Sequence, residues 1–153
     1  HNPHKKKANL LEDHHRLAMV RIAVEDNAKL KASDIEFNLP KPSYTVFTLQ
    51  KLKEDHPNHE FVMIMGEDNL KSFHKWKNYE RILERHHIYV YPRISDGKIE
   101  TRFDNHPKIH HVDAPIMELS STFIRNAIKE RKNIRPMLPE HVWTYLDEMN
   151  FYK

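Results

Sequence analysis

The stretch FVMIM, residues 61–65, constrains the fold more than any other part of the chain. Five consecutive apolar residues make a strand-length run with no polar alternation. Such a run implies a strand covered on both faces, as in a parallel sheet. HIYVY, 87–91, is a second strand, rich in β-branched and aromatic residues. Lys108 to Val112 supplies a third. A short strand is expected from Lys31 to Leu39 around Ile35 and Phe37, ended by Pro40 and Pro42.

Helical periodicity fills the intervals. Glu12 to about Asn27 carries Leu17, Val20 and Val24 on one side. Ser43 is placed to cap a helix from Tyr44 to about Asp55, with Val46, Leu49 and Leu52 among its apolar positions. His56-Pro57-Asn58 reads as a turn, Trp76 to Arg85 as a helix, and Pro92 to Pro107 as loop with a turn at Ser95-Asp96-Gly97. Ile124, Ala127 and Ile128 define a helix halted by Pro136. Pro139 opens a last one, striped by Val142, Tyr145, Leu146 and Met149. Strands alternating with helices predict an α/β fold with a parallel sheet and flanking helices.

At 153 residues one domain is expected, with enough chain to bury a core unaided. There is no cysteine, hence no disulfide or thiolate chemistry. No apolar run approaches the roughly 18 residues of a membrane helix, and no signal peptide is visible, so a cytoplasmic protein is expected. The net charge of +3 suits nucleic acid or a phosphorylated small molecule. Two glycines in the whole chain exclude a glycine-rich phosphate loop of either common type.

Ligands of such sheets bind beyond the carboxyl ends of the strands. MGEDN follows the first run, YPR the second, and SSTFIR the third, so three candidate segments are expected on one rim. Ser120, Ser121 and Thr122 stand at the start of a helix, with Arg125 one turn in. One hydroxyl would suffice as a cap. The whole cluster also suits phosphate, which the free N–H groups and dipole of a helix start attract. Asp68 can accept from ribose hydroxyls or simply form a turn or cap, and Gly66 can admit a ligand's close approach or make an ordinary positive-φ turn. Lys5 beside His4 suits phosphate or plain solvent, and Trp76 suits ring stacking or the core. The thirteen histidines include adjacent pairs at 14–15, 86–87 and 110–111, whose side chains should point apart. With no H-E-x-x-H pattern and no cysteine, no protein-held metal is expected. A G-x-S-x-G elbow is also absent.

In order and spacing, these segments resemble the nicotinate-nucleotide adenylyltransferases, within the nucleotidyltransferases of Rossmann-like topology. NPHK at 2–5 is similar to the family's P-P-H-K, PSYTVFTL at 42–49 to its P-S-Y-T-x-x-T-L, and MGEDNL at 65–70 to its I-G-x-D, with KW at 75–76 following. SSTFIR at 120–125 is similar to its S-S-T-x-I-R, and LPEHVWTYLDEMNFY at 138–152 to its closing segment. The resemblance implies adenylyl transfer from ATP, accompanied by magnesium, to nicotinate mononucleotide, giving nicotinate adenine dinucleotide and pyrophosphate in NAD biosynthesis.

Carried over residue by residue, the resemblance puts Ser121, Thr122 and Arg125 on the ATP phosphates and Gly66 and Asp68 on the adenosine ribose. Lys5 and His4 lie near phosphate, and Arg93 reaches the nucleotide. Tyr44, Thr45 and Trp76 meet the nicotinate, Thr45 through its carboxylate. Arg125 and Lys5 are the expected catalytic groups of the stretch. The family opens with a strand and a G-x-F-x-P-x-H-x-G-H loop whose histidines stabilise the phosphates. That segment would precede His1, leaving 1–153 as one nucleotidyltransferase domain that lacks its first strand and helix. By itself such a stretch is not expected to be active or stably folded. The expected partners are ATP and nicotinate mononucleotide, with no nucleic acid and no membrane; a homo-oligomer is compatible. The alternatives are a transferase for another phosphorylated substrate, such as phosphopantetheine, or a non-catalytic nucleotide-binding fragment.

Overall fold

A computed structural model describes residues 10–93 and 101–153. They fall into two compact units, one built from 35–93 and 101–118, the other from 10–34 and 119–153.

The first unit holds the sheet. Strands β1 (Met63–Gly66), β2 (Ile88–Tyr91) and β3 (Ile109–His111) lie in that order. Both pairings are parallel, with Met63 opposite Ile88 and Ile88 opposite Ile109. Helices α2 (Thr45–Asp55), α3 (Glu67–Ser72) and α4 (Tyr79–Arg85) supply Leu49, Leu70, Ile82 and Leu83 to a core shared with Met65, Ile88, Val90 and Ile109. Phe73 is its centre: 0% exposed, in edge-to-face contact with Trp76, Tyr79 and Phe103 at centre-to-centre distances of 5.3, 5.8 and 5.6 Å. The expected parallel sheet is present.

Burial of 61–65 on both faces is not. Met63 and Met65 point into the core, but the strand's two-residue period sends Val62 and Ile64 to the other face, where they are 48% and 74% exposed. An unbroken apolar run therefore marks the strand without saying that both faces are filled. The 31–39 segment also differs from expectation. Ile35–Asn38 forms a single 3-10 turn, tied to α2 by the Thr48 hydroxyl donating to Glu36 Oε1 at 2.8 Å. Two apolar residues with no neighbouring strand to pair with do not make a ladder.

Helix boundaries shift for local reasons. Tyr44, not Ser43, is the N-cap of α2 and makes no side-chain capping bond. The helix expected from Trp76 starts at Tyr79, because Trp76 is extended and Asn78 takes a left-handed φ of 51°. Asn tolerates that conformation better than most residues. Helix α3, where the sequence reading weighed a turn or a cap at Asp68, follows directly from Gly66.

The second unit is helical. Helix α1 (Asp13–Val24) meets α6 (Glu140–Glu148) through His15, whose Nδ1 shares a 2.8 Å hydrogen bond with the Tyr145 hydroxyl and whose ring meets Phe151 edge-on. No residue of α1 is buried, and Val20 of the predicted apolar side stays half exposed. Helix α5 (Ser121–Lys129) is the strongly amphipathic element. Its Ile124, Ala127 and Ile128 pack with Ile134 in a small separate core.

One of the adjacent histidine pairs departs from expectation. The His14 and His15 rings lie 4.0 Å apart rather than pointing away from each other. His87 pairs across the sheet, its Nδ1 2.7 Å from His110 Nε2. That contact depends on register, which the sequence pattern does not reveal.

Candidate functional site

In the first unit the carboxyl ends of β1 and β2 bring together Gly66, Asp68 and Arg93. Gly66 has φ −80° and ψ 157°, an ordinary extended conformation, so the positive-φ turn does not apply. Its lack of a side chain serves space instead. A Cβ there would sit 2.5 Å from Asp68 Oδ1 and 3.3 Å from the Tyr91 hydroxyl. Asp68 lies in the first turn of α3, where the helix start favours an acidic residue. Its Oδ1 is 3.7 Å from Arg93 Nε, and the Arg93 backbone N–H donates to Glu67 Oε2 at 3.2 Å. The result is a half-exposed carboxylate, an acceptor for paired hydroxyls, braced by a guanidinium whose other donors have no partner among the described residues.

The same unit gathers the aromatic candidates. Tyr44 precedes the start of α2, Thr45 is its first residue, and Trp76 packs partly buried against the core through Phe73. Trp76 thus takes the core position weighed in the sequence, while staying incompletely covered. Lys77, which the sequence reading passed over, holds its ammonium 4.5 Å from the Tyr44 ring centre and 5.1 Å from that of Phe47. This contact brings the residue after Trp76 to the start of α2. The sequence carries no local signal for it, because the contact joins segments far apart in the chain.

In the second unit the hydroxyl cluster divides its work. Ser120 is the N-cap of α5, its Oγ accepting from the Phe123 N–H at 3.1 Å. Ser121 and Thr122 are therefore not needed as caps and stand exposed in the first turn. Arg125 Nη2 donates to Thr122 Oγ1 at 3.0 Å, which brings guanidinium and hydroxyl together. Helix start, two hydroxyls and one arginine form an arrangement suited to phosphate oxygens.

His4 and Lys5 lie outside the described residues, as does the 95–97 turn. A cavity of about 700 Å³ opens at the opposite end of the sheet, where Phe61, His86 and Lys108 lead into the strands. Ligands of parallel sheets bind at the carboxyl ends, so size alone does not make this cavity the site. Among the described residues, Glu25, Asp26 and His141 bring potential metal-ligating atoms within 4.8 Å of one another, all at exposed positions. None of them belongs to the segments discussed above. No helix among these residues is long and apolar enough to cross a membrane.

Residues 1–127 match the family described as cytidylyltransferase-like. A Flavobacterium johnsoniae protein whose name reads "Probable nicotinate-nucleotide adenylyltransferase" is 66% identical over all 153 residues, which span 79% of its own length. A similarly named Christiangramia forsetii protein is 63% identical over the same stretch, again 79% of its length. In fold, the chain is similar to the nicotinic acid mononucleotide adenylyltransferase of Plasmodium falciparum, solved in complex with NaAD. That match has a TM-score of 0.74 and 20% identity, covering 97% of this chain and 78% of the other. The fold is thus a nucleotidyltransferase fold, and the chain belongs to the nicotinate-nucleotide adenylyltransferase family.

Proposed function

We propose that the protein joins the adenylyl group of ATP to nicotinate mononucleotide, releasing nicotinate adenine dinucleotide and pyrophosphate, a step in NAD biosynthesis. The observation that carries this is 66% identity across the whole chain to a nicotinate-nucleotide adenylyltransferase. The NaAD complex of the fold neighbour is in keeping with the product.

In the reaction, a 5′-phosphate oxygen of the mononucleotide bonds to the α-phosphorus of ATP. The bond from that phosphorus to the bridging oxygen breaks, and pyrophosphate leaves. No covalent enzyme intermediate is required, so catalysis rests on positioning and on stabilising charge. In the second unit, Ser121, Thr122 and Arg125 grip phosphate oxygens, with Arg125 opposing the charge that grows in the transition state. In the first, Asp68 accepts from the adenosine ribose, the bare Gly66 leaves room for that carboxylate, and Arg93 braces it and reaches the nucleotide. Tyr44 and Thr45 approach the nicotinate, Thr45 by hydrogen bonding its carboxylate, and Trp76 packs beside the ring. His4 and Lys5 act on phosphate by family resemblance.

Magnesium would come bound to the ATP phosphates and would offset part of their charge. Among the described carboxylates of the rim, Asp68 Oδ1 faces Arg93 and Glu67 Oε2 accepts from the Arg93 backbone N–H. The test is pyrophosphate release by the full-length protein supplied with MgATP and nicotinate mononucleotide. Steady release with a dinucleotide product is expected. No release with any pyridine mononucleotide, or turnover of phosphopantetheine in its place, would overturn the assignment.

A further inference from the structure

The geometry points to Lys77 as a specificity residue that reads the nicotinate carboxylate. The inference rests on the proposed location of nicotinate beside Tyr44, Thr45 and Trp76. Nicotinate and nicotinamide mononucleotides differ only in one ring substituent, a carboxylate in one and a neutral amide in the other. A cation within reach of that substituent is the simplest discriminator, because it attracts the first and gains little from the second.

Lys77 has the attributes this role needs. Its ammonium sits 4.5 Å from the centre of the Tyr44 ring and 5.1 Å from that of Phe47. The two rings, which flank Thr45 in the chain, meet edge to face, their centres 6.0 Å apart at 85°, and form the corner that seats the ammonium. Among the described residues Lys77 makes no ion pair; the surface lysines Lys51, Lys132 and Lys153, by contrast, each face a carboxylate. Its charge is therefore not already neutralised. A ring-face contact at an exposed position is weak enough to yield to a carboxylate. Lysine's flexible stem lets the head follow the substrate. With nicotinamide the ammonium stays over the rings and contributes nothing to binding.

The test compares kcat/KM for the two mononucleotides at saturating MgATP in the unaltered protein and in Lys77→Met, Lys77→Arg and Lys77→Glu. Lys77→Met is expected to lower kcat/KM for nicotinate mononucleotide about tenfold, the worth of one charge-assisted contact. Nicotinamide mononucleotide kinetics and the KM for ATP should hold within about twofold of the unaltered values, and a shift smaller than that is no loss of a contact. Lys77→Arg should keep most of the preference, and Lys77→Glu should reverse part of it. An equal fall for both mononucleotides in Lys77→Met would mean that Lys77 merely props the Tyr44–Phe47 corner. An unchanged ratio would mean that the carboxylate is read elsewhere; either result overturns the inference. Calorimetric titration with each mononucleotide separates this from the activity assignment. If the unaltered protein makes no dinucleotide yet binds the nicotinate form more tightly, and Lys77→Met abolishes that preference, the activity assignment fails and the role of Lys77 stands. Equal binding of the two forms by the unaltered protein would remove the role of Lys77 and leave the activity assignment to the pyrophosphate assay.

Discussion

At the carboxyl end of β1, Gly66 leaves no room for a Cβ and Asp68 already faces Arg93, whereas at the start of α5 Ser121 and Thr122 stand in solvent with Arg125 laid against Thr122. The backbone at the end of β1 and a partly exposed Asp68–Arg93 ion pair hold the first group together. It grows out of a sheet whose core centres on the fully covered Phe73. The second is fixed by a cap and by side-chain rotamers on a helix with a four-residue core. Substitution should therefore displace neighbours in the first group and subtract a donor in the second.

The difference in cores gives the largest expected effect. Phe73→Ala should cost about 3–5 kcal/mol of stability, since a buried aromatic ring leaves both lost transfer energy and a cavity. Ile134→Ala in the smaller core should sit near the low end for its type, about 2 kcal/mol, because half-buried neighbours such as Leu138 and Trp143 can relax into the space. Denaturant titration measures both. Equal costs would break the contrast between a rigid sheet unit and a more accommodating helical one.

Arg125→Ala should subtract without displacing. Turnover is expected to fall about 10²–10³-fold, as when one donor to a developing charge is removed. The unfolding midpoint should move by no more than a surface change does, about 0.5 kcal/mol. Unchanged pyrophosphate release would strip Arg125 of its role. Gly66→Ala should do the reverse and displace. Its Cβ would meet Asp68 Oδ1 at 2.5 Å, so the carboxylate must turn or the strand must shift. A displacement of that order can cost about 10²-fold in kcat/KM, expected here with a raised KM for ATP. Full activity would mean that Asp68 swings aside freely and that its placement does not matter.

The two groups were not equally legible in the sequence. The α5 cluster was visible because hydroxyls, a helix start and an arginine lie within six residues, and every interaction among them is local. The rim of the sheet was half visible. The apolar runs located β1 and β2, and the parallel pairing brought Arg93 to Asp68 across 25 positions of sequence. What could not be read was why Gly66 is glycine, since that depends on where Asp68 and Tyr91 come to rest. The exposure of Ile64 and the His87–His110 contact escaped for the same reason. Face coverage and register are properties of the assembled sheet, not of any one strand. The 31–39 strand failed because alternation over so short a stretch is equally compatible with a single tight turn.

The smallest effect is the most discriminating within α5, because adjacent serines should fail in different ways. Ser120 accepts from the Phe123 N–H, so Ser120→Ala should cost about 1 kcal/mol of stability while turnover stays near normal. Ser121 stands beyond the cap, exposed in the first turn. Ser121→Ala should leave the unfolding midpoint alone and slow turnover about tenfold, the worth of one hydrogen bond to a charged phosphate. If both substitutions changed stability alone, the cluster would be a redundant cap and phosphate gripping would rest on Arg125 and Thr122. If both slowed turnover and spared stability, the Ser120 cap would be replaceable by solvent, and the start of α5 would be tuned for its ligand more than for its own helix.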